Sequence, residues 1–517
     1  MKFSKLTVAI AATLGASASF SALAMDLYVD TKTKQIYAEP GKGRELMGAF
    51  ERISDKPLIA PATTADVAEL SSVKEDLATK SNEIKALQEH MDQAEQVKVT
   101  MDKKGLQVQS ADKNFKFKLG GRLQTDATYN TDQGYYTNKY NPAIILPRDP
   151  KIDANDGTEL RRARMRFEGV FYRDWLTRIE VDFGDDKVAV KDAFLEYNGF
   201  DFMRVTAGQQ KQNFSRELQE SSNDLMFTER SLMNILAAPT VDRAIGLNFE
   251  STGKNWVAKA GVFGNSITPN TQNGSDNLGT GGDEGWAINS RLIYNPILAK
   301  DKLIHLGIAG NYREADDSGY SAKGDKYLNF VYETTNMSNL TLINSTPITN
   351  LESISMLGLE GAGMWGPGSI GGEYSQMWVG RHGGGATTGS AIQVNGWYAE
   401  AAWTLTGESR KYSQGNFRYL DPAKPFDLKN GGWGAVEAAV RYSGADLNDV
   451  NYNGGNIQNM TLAVNWYLNS NVRLMADWTN IVDLNSPVVS TVANSKNSNS
   501  NSNLGTDSFW LRAQVAY

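Results

Sequence analysis

The sequence predicts an all-β transmembrane barrel of sixteen antiparallel strands, preceded by an N-terminal hairpin and a coiled-coil helix. Apolar and polar residues alternate in many short segments from Phe115 to the end of the chain, which is typical of strands with one apolar and one wet face. The connections between these segments are alternately short and long. The mean hydropathy of −0.42 excludes a bundle of transmembrane helices but is compatible with a barrel.

Composition narrows the chemistry of the 517-residue chain. It has no cysteine and three histidines, which excludes disulfides and thiolate metal sites and leaves little for an imidazole site. We therefore expect no metal and no cofactor. The 52 basic and 59 acidic residues give a net charge of −7, which lends no support to a nucleic-acid partner.

Residues 1–24 have the pattern of a secretory signal peptide. Lys2 and Lys5 form a basic start, an apolar stretch follows, and Ala22-Leu23-Ala24 is a small–x–small cleavage site. A short buried helix is the alternative. The pattern predicts an exported protein.

The segment before the barrel is predicted to be periplasmic. Residues 25–62 suggest a small hairpin and a linker, and residues 63–98 contain no Gly or Pro, which favours a helix. A heptad seam runs through this helix at Leu70, Val73, Leu77, Lys80, Ile84, Leu87, Met91 and Ala94. Four heptads with one polar exception predict a coiled coil and hence an oligomer, with contact to its own copies or to a periplasmic partner. A single amphipathic helix docked on its own domain is the alternative.

The barrel is predicted to occupy residues 110–517. Its sixteen segments lie near 115–127, 159–171, 173–183, 188–198, 201–209, 243–251, 255–264, 285–294, 302–312, 354–365, 369–379, 392–406, 432–443, 456–467, 471–481 and 508–517. An even strand number places both ends of the barrel on the same side of the membrane. Sixteen strands enclose a lumen too wide for side chains alone to fill.

The connections and the last strand point to the bacterial outer membrane, where the barrel would contact lipid and lipopolysaccharide. Short turns on one side and long loops on the other are typical of outer-membrane barrels. We expect 210–242 to fold inward, 444–455 to be a long loop, and 407–431 to be long where a short turn is usual. The final strand has an apolar face that ends on Tyr517, as in strands recognised for outer-membrane insertion.

A ladder of arginines is the candidate functional feature. Four arginines fall on the wet faces of the first two strands: Arg122, Arg162, Arg164 and Arg166. Neighbouring members of the run in the second strand are roughly 7 Å apart, and guanidinium forks suit phosphate or carboxylate, so the ladder is a candidate anion track. A cross-barrel ion network with Glu180 and Asp182 is an equally weighted alternative. Arg161 has the opposite parity and is expected to face outward unless a bulge turns it inward.

Several tracts resemble the phosphate-selective porin O and P family. They are Gly157–Arg164, Ala207–Lys211, Phe227–Ser231, Leu405–Arg410, Pro425–Asp427, Gly431–Ala435, Ala439–Ser443 and Asn465–Leu468. The resemblance implies a homotrimer of sixteen-stranded barrels with inward-folded loops and an arginine-lined anion path. By position, Arg122 and Arg162, with Arg161, match the family's constriction arginines, and Lys211 matches the basic position that opens the inward loop.

These observations predict an outer-membrane porin for passive diffusion of small anions, phosphate among them. A general diffusion porin without a binding site is the alternative. The inward loop departs from the family pattern, because it carries four acids and no dense lysine cluster. An enzyme is disfavoured, since no Ser/His/acid arrangement falls at plausible strand positions. An exported soluble β-protein with a coiled-coil stalk is a further alternative.

Overall fold

The computed structural model describes two compact units, residues 1–91 and 92–517, which are treated separately below. The described residues are 25–37, 39–50, 64–94, 97–102, 105–131, 135–136, 151–152, 154–184, 187–267, 285–314, 328–338, 340–349, 351–382, 391–489 and 507–517. The signal peptide predicted at 1–24 and the linker residues 51–62 lie outside them.

The first unit opens with a three-stranded antiparallel sheet. Its strands are β1 (Met25–Asp30), β2 (Ile36–Tyr37) and β3 (Arg44–Phe50), in the order β2-β1-β3. The Asp30 carboxylate accepts hydrogen bonds from the N–H groups of Lys32 and Thr33, at 2.9 and 2.8 Å, which stabilises the turn between β1 and β2. The hairpin read from the sequence therefore has a third strand on its other edge.

Helix α1 (Thr64–Ala94) follows in the chain and contains no Gly or Pro. The described apolar seam residues Val73, Leu77, Ile84 and Leu87 are between 52% and 67% exposed in the single chain. An exposed heptad seam agrees with pairing to another helix, and the coiled coil stays a prediction. The side chains of the remaining apolar seam positions lie outside the described residues.

The second unit contains the other strands and two short helices. In chain order they are β4 (Lys98–Asp102), β5 (Gly105–Gln109), β6 (Phe115–Asn130), β7 (Tyr135–Tyr136), β8 (Lys151–Ile152), β9 (Gly157–Phe171), β10 (Trp175–Asp182), β11 (Ala189–Tyr197), β12 (Arg204–Lys211), α2 (Arg216–Gln219), α3 (Asn234–Val241), β13 (Arg243–Thr252), β14 (Trp256–Phe263), β15 (Trp286–Leu298), β16 (Lys302–Glu314), β17 (Val331–Glu333), β18 (Thr341–Asn344), β19 (Leu351–Trp365), β20 (Gly368–Arg381), β21 (Ile392–Thr404), β22 (Lys411–Ser413), β23 (Asn416–Arg418), β24 (Ala435–Asp449), β25 (Tyr452–Tyr467), β26 (Val472–Asn485) and β27 (Asp507–Ala516).

Sixteen of these strands form a closed antiparallel barrel, which confirms the predicted fold: β6, β9–β16, β19–β21 and β24–β27. The last strand closes on the first, in a register that runs from Ser508 opposite Asn130 to Ala516 opposite Arg122. Below this seam the first residues of β6 pair with β5, which forms a hairpin with β4. Closure pairs backbone groups that would otherwise face hydrocarbon.

The barrel wall is apolar outside and mainly polar inside. In β6, Leu123 is exposed on the outer face while Gln124 and Asp126 are buried on the inner face, and the alternation continues to the end of the strand. In β27, Leu511 is 62% exposed and Arg512 is buried. The period of two in the sequence thus separates a lipid-facing surface from a lumen. Among the described residues, no helix is long and apolar enough to cross a membrane.

The connections lie at the two ends of the barrel. We call the end with mostly short connections the turn rim and the other end the loop rim. The turn rim carries 172–174, 198–203, 253–255, 299–301, 366–367 and 468–471, together with the long segment 405–434. The loop rim carries most of the long connections. The long loop expected at 444–455 is wrong: β24 and β25 continue as paired strands to Asp449 opposite Tyr452. The polar, Asn-rich composition of this stretch conceals strands that extend beyond the apolar band.

Three segments fill much of the lumen. They are 212–242 and the described residues 328–338 and 340–349 from the loop rim, and 405–434 from the turn rim. Phe214 and Leu236 of the first segment and Phe330 of the second belong to one buried apolar cluster with inward-facing wall residues such as Met377 and Val379. Part of the lumen near the loop rim is therefore packed and apolar.

Two β-bulges change which side chains enter the lumen. Between β6 and β9, Gln124 faces Arg162 and Asp126 faces Glu159, so Leu160 and Arg161 together oppose one residue. Leu160 remains exposed, and Arg161 turns inward, which corrects the outward position given by parity alone. A second bulge lies on β11, where Lys191 has no partner between Val190 and Asp192.

Replacing Leu511 with Arg should destabilise the barrel by about 2–4 kcal/mol, the cost of a basic side chain near the bilayer midplane. Unfolding in urea from lipid vesicles measures the loss. Leu428→Arg is the matched control, because Leu428 is also exposed, at 74%, but lies in the turn-rim segment. Equal losses in both variants would contradict the assignment of a lipid-facing surface.

Deleting Arg161 should leave a folded barrel, because removal of one residue converts the bulge into regular pairing and leaves Leu160 outside and Arg162 inside. Deleting Ala163 should instead move Arg162 opposite Leu123, onto the lipid face, and impair folding. Heat-modifiable gel mobility distinguishes the two. A deletion of Arg161 that folds no better than the Ala163 deletion would argue against the bulge.

Candidate functional site

The predicted arginine ladder lies on the inner wall formed by β6, β9 and β10. Arg122 on β6 faces Arg164 on β9, and Arg162 faces Gln124. The six basic residues predicted from the sequence all line one lumenal cavity of about 570 Å³: Arg122, Arg161, Arg162, Arg164, Arg166 and Lys211. Strand parity brings the ladder together, and the bulge adds Arg161.

Carboxylates on the neighbouring strand pair with the middle of the ladder. One carboxylate oxygen of Glu180 lies 3.0 Å from Arg122, and the other lies 3.0 Å from Arg164. Arg164 also donates from Nε to Asp182 at 2.6 Å. The cross-wall ion network considered from the sequence is therefore present. It neutralises part of the like charge that stacking arginines on adjacent strands would otherwise accumulate.

Towards the turn rim, one carboxylate serves three cations. Glu168 lies 2.8 Å from Arg178, 3.4 Å from Lys118 and 3.7 Å from Arg166. Arg166 and Arg178 keep 26% and 32% of their side-chain surface exposed. A single negative charge among three positive ones leaves this part of the wall basic and reachable from the lumen.

Towards the loop rim, the inward loop inserts its own carboxylate. Arg161 donates to Glu229 from Nε at 2.9 Å, and Arg512 donates to it at 3.1 Å. Arg162 lies 3.7 Å from the other carboxylate oxygen. Burial by itself would raise the pKa of Glu229, but the three guanidinium groups outweigh burial and hold that pKa well below its ordinary value. Glu229 is therefore ionised at neutral pH.

Lys211 supports the loop. Its ammonium donates to the backbone carbonyl oxygens of Leu218 at 2.5 Å, Gln219 at 3.3 Å and Glu220 at 2.9 Å. An ammonium has three donors, and these three bonds use them on the carbonyl groups at the end of α2. Lys211 thus fixes the start of the inward loop, a role that its position in the sequence does not indicate.

Further basic residues line the same cavity but were not singled out from the sequence: Lys187, Lys191, Arg230, Arg243 and Arg418. Arg230 and Arg418 lie on the inward segments, where strand parity gives no orientation. Lys191 enters through the second bulge. Among the described residues, the cavity lining contains thirteen Lys or Arg and six Asp or Glu side chains, although the whole chain is acidic.

The opposite wall is closed by buried ion pairs. Arg216 of the inward loop donates to Glu400 at 2.6 Å and to Glu220 at 2.9 Å. On the wall itself, Arg291 holds Glu360 through two bonds of 2.8 and 2.7 Å. The side chains of these pairs are almost completely buried. The Arg216–Glu400 pair attaches the inward loop to this wall, and the open passage lies on the basic side.

The two inward segments from opposite rims contact each other inside the barrel. The N–H of Phe417 donates to Glu220 at 3.0 Å, and the N–H of Tyr419 donates to Asp224 at 3.0 Å. Arg410 donates to the backbone oxygen of Asp224 at 2.6 Å. Burial raises the pKa of the Asp224 carboxyl. The two inserted segments are thus hydrogen-bonded to each other inside the lumen.

The described residues contain no group of three or more His, Asp or Glu side chains placed to hold a metal ion. What the cavity offers is guanidinium and ammonium donors, partly shared with carboxylates. Such groups can exchange hydrogen bonds with an oxyanion that replaces part of its hydration shell.

Comparison with known sequences identifies the family. A family model described as phosphate-selective porin O and P matches residues 145–517. Porin O of Pseudomonas aeruginosa is 28% identical over 404 residues, which cover 73% of this chain and 85% of that protein. An uncharacterised protein of Caulobacter vibrioides is 30% identical over 320 residues, 60% of each chain.

Solved structures of outer-membrane channels also align with the chain. An anion-selective porin from Comamonas acidovorans aligns with a TM-score of 0.46 at 12% identity, covering 78% of this chain and 100% of its own. The channel DcaP of Acinetobacter baumannii aligns with a TM-score of 0.45 at 9% identity, covering 79% and 99%. Family and fold are those of a channel rather than of an enzyme. The chain belongs to the phosphate-selective porin O and P family and is a porin of the bacterial outer membrane.

Proposed function

We propose that this porin passes small anions, phosphate among them, by passive diffusion along the basic wall of its lumen. The observation that carries the proposal is the excess of basic over acidic side chains in the cavity lining, thirteen against six among the described residues. A low-dielectric wall concentrates the field of these charges in the passage, which favours entry of anions over cations.

The exposed arginines are the groups that a passing anion would touch. Arg161, Arg166 and Arg178 keep 21%, 26% and 32% of their side-chain surface exposed, whereas Arg122 and Arg162 keep 6% and 7%. The deeper arginines would act mainly through their charge. Because the exposed ones share their donors with Glu168 and Glu229, an anion would be held weakly enough to leave again.

A general diffusion porin without a binding site is the second candidate. The ion pairs of Arg122 and Arg164 with Glu180 and Asp182 favour it, since a paired guanidinium has fewer donors for a solute. The two candidates predict different dependences of conductance on anion concentration. With a binding site the conductance saturates as the anion concentration rises, and in a water-filled pore without a binding site it does not.

We also propose a homotrimer. Five neighbouring strands, β10 to β14, have only 8 to 10 residues, whereas the strands from β15 to β26 in the barrel have 13 to 16. This low wall is a suitable face for other copies, while the taller walls contact lipid and lipopolysaccharide. The exposed seam of α1 would join the same copies in the periplasm, in parallel, because every barrel inserts in the same direction.

Replacing Arg162 and Arg164 together with Ala should lower the anion-over-cation permeability ratio at least about threefold, roughly 0.7 kcal/mol in ion preference. The change removes two positive charges and leaves Glu180 and Asp182 without Arg164. The reversal potential across a planar bilayer under a salt gradient measures the ratio. Arg173→Ala is the control, because Arg173 is exposed at a turn outside the lumen. An unchanged reversal potential in the double variant would reject the ladder.

Single-channel conductance in chloride should fall and saturate as phosphate is added, because phosphate would occupy the basic wall for longer than chloride does. Titration of phosphate at constant ionic strength gives the half-blocking concentration. A conductance that stays proportional to ion concentration, with no block, would favour the general diffusion porin.

A further inference from the structure

The carboxylate of Glu229 lies among the guanidinium groups of three arginines. Its carboxylate faces Arg161 through two donors, Nε at 2.9 Å and a terminal nitrogen at 3.4 Å. Arg512 donates to the same carboxylate at 3.1 Å. Paired donors from one guanidinium to one carboxylate are the geometry by which arginine also binds phosphate.

The three guanidinium groups around this carboxylate come from the two strands that flank β6. Arg161 and Arg162 lie on β9, and Arg512 lies on β27. Arg512 is fixed by Asp126, which accepts from its Nε and a terminal nitrogen at 2.7 and 2.6 Å. The arginines are therefore held by the wall, whereas their carboxylate partner arrives on an inserted loop.

The loop backbone beside Glu229 is anchored. The N–H of Thr228 donates to Asp477 at 2.7 Å, and its carbonyl oxygen accepts from Arg512 at 2.5 Å. The carbonyl oxygen of Glu229 accepts from Arg441 at 3.0 Å. With the backbone fixed, the Glu229 carboxylate can leave the arginines only by rotation of its own side chain. Its side chain is 32% exposed, so a solute in the lumen can reach it.

We propose that Glu229 is a tethered competitor, whose carboxylate occupies the oxyanion position between Arg161, Arg162 and Arg512 and is displaced by an incoming phosphate. This inference rests on the proposed anion-conducting function. A tethered group competes at high effective concentration. It therefore weakens the binding of each passing anion and shortens its stay, which suits a channel better than a tight site.

Glu229→Gln tests the inference because glutamine keeps the shape of the side chain and removes its charge. In planar bilayers with chloride as the conducting anion, the variant should be half-blocked by inorganic phosphate at about one tenth of the native concentration. Glu229→Asp, with a carboxylate one methylene shorter, should lie between the two. The fold-change in the half-blocking concentration of phosphate should exceed the fold-change in the half-saturating concentration of chloride. Chloride is a spherical ion and cannot accept the paired hydrogen bonds that a guanidinium group offers to an oxyanion.

Glu333→Gln is the matched control, because it removes one negative charge from another inserted segment, where Glu333 accepts a hydrogen bond from Thr341. The Glu333→Gln channel should be half-blocked at the same phosphate concentration as the native channel. Block of native and Glu229→Gln channels at the same phosphate concentration would overturn the competitor and leave the anion site standing. Absence of block in both would remove the proposed anion site itself. If Glu229→Gln fails to give a heat-modifiable barrel, Glu229→Asp decides: an intermediate value supports the competitor, and the native value overturns it.

Discussion

Closure of the sheet is the constraint on which the structure depends. A strand edge in hydrocarbon would expose N–H and C=O groups that find no partner there, and the pairing of β27 with β6 removes both edges. Once the sheet is closed, successive side chains of each strand point alternately to the lipid and to the lumen. The charged residues of the wall therefore lie inside, and the chemistry of the channel follows from how they are arranged around the circumference.

Inside the barrel, charge pairing differs between the two walls. On one side, arginines pair with glutamates in buried contacts, and a contact such as Arg216 with Glu400 attaches an inserted segment to the wall. On the other side, basic groups outnumber acids and several share one carboxylate, as at Glu168. Leaving one partner of a buried pair alone is costly, so the unbalanced charge remains where water reaches it. The passage and the basic surface coincide for this reason.

The fold was predictable because lipid on one side and water on the other impose a period of two over hundreds of residues. That period placed Arg122, Arg162, Arg164 and Arg166 on the inner wall and gave the number of strands. It did not show that Glu180 and Asp182 pair with the ladder rather than face a solute, since either arrangement satisfies the same parity.

Other parts of the site could not be read from one sequence. A bulge adds a residue to a strand without a distinctive sequence pattern. The sequence therefore could not show that Arg161 and Lys191 face the lumen. The contacts of Lys211 with three carbonyl oxygens and of Glu229 with three arginines depend on the path of a loop, which has no period to follow. At 444–455, polar composition suggested a loop where the strands continue beyond the apolar band.

The contact between Glu220 and Asp224 of one inserted segment and Phe417 and Tyr419 of the other has a consequence for assembly. These segments enter from opposite rims, yet the strands that close the barrel are its first and last strands, β6 and β27. Both segments are synthesised between those strands and must be on the inner side of the curling sheet when the seam forms. The barrel therefore closes around segments that are already inside it. If β6 and β27 paired too early, one of the two inserted segments would be left outside the lumen.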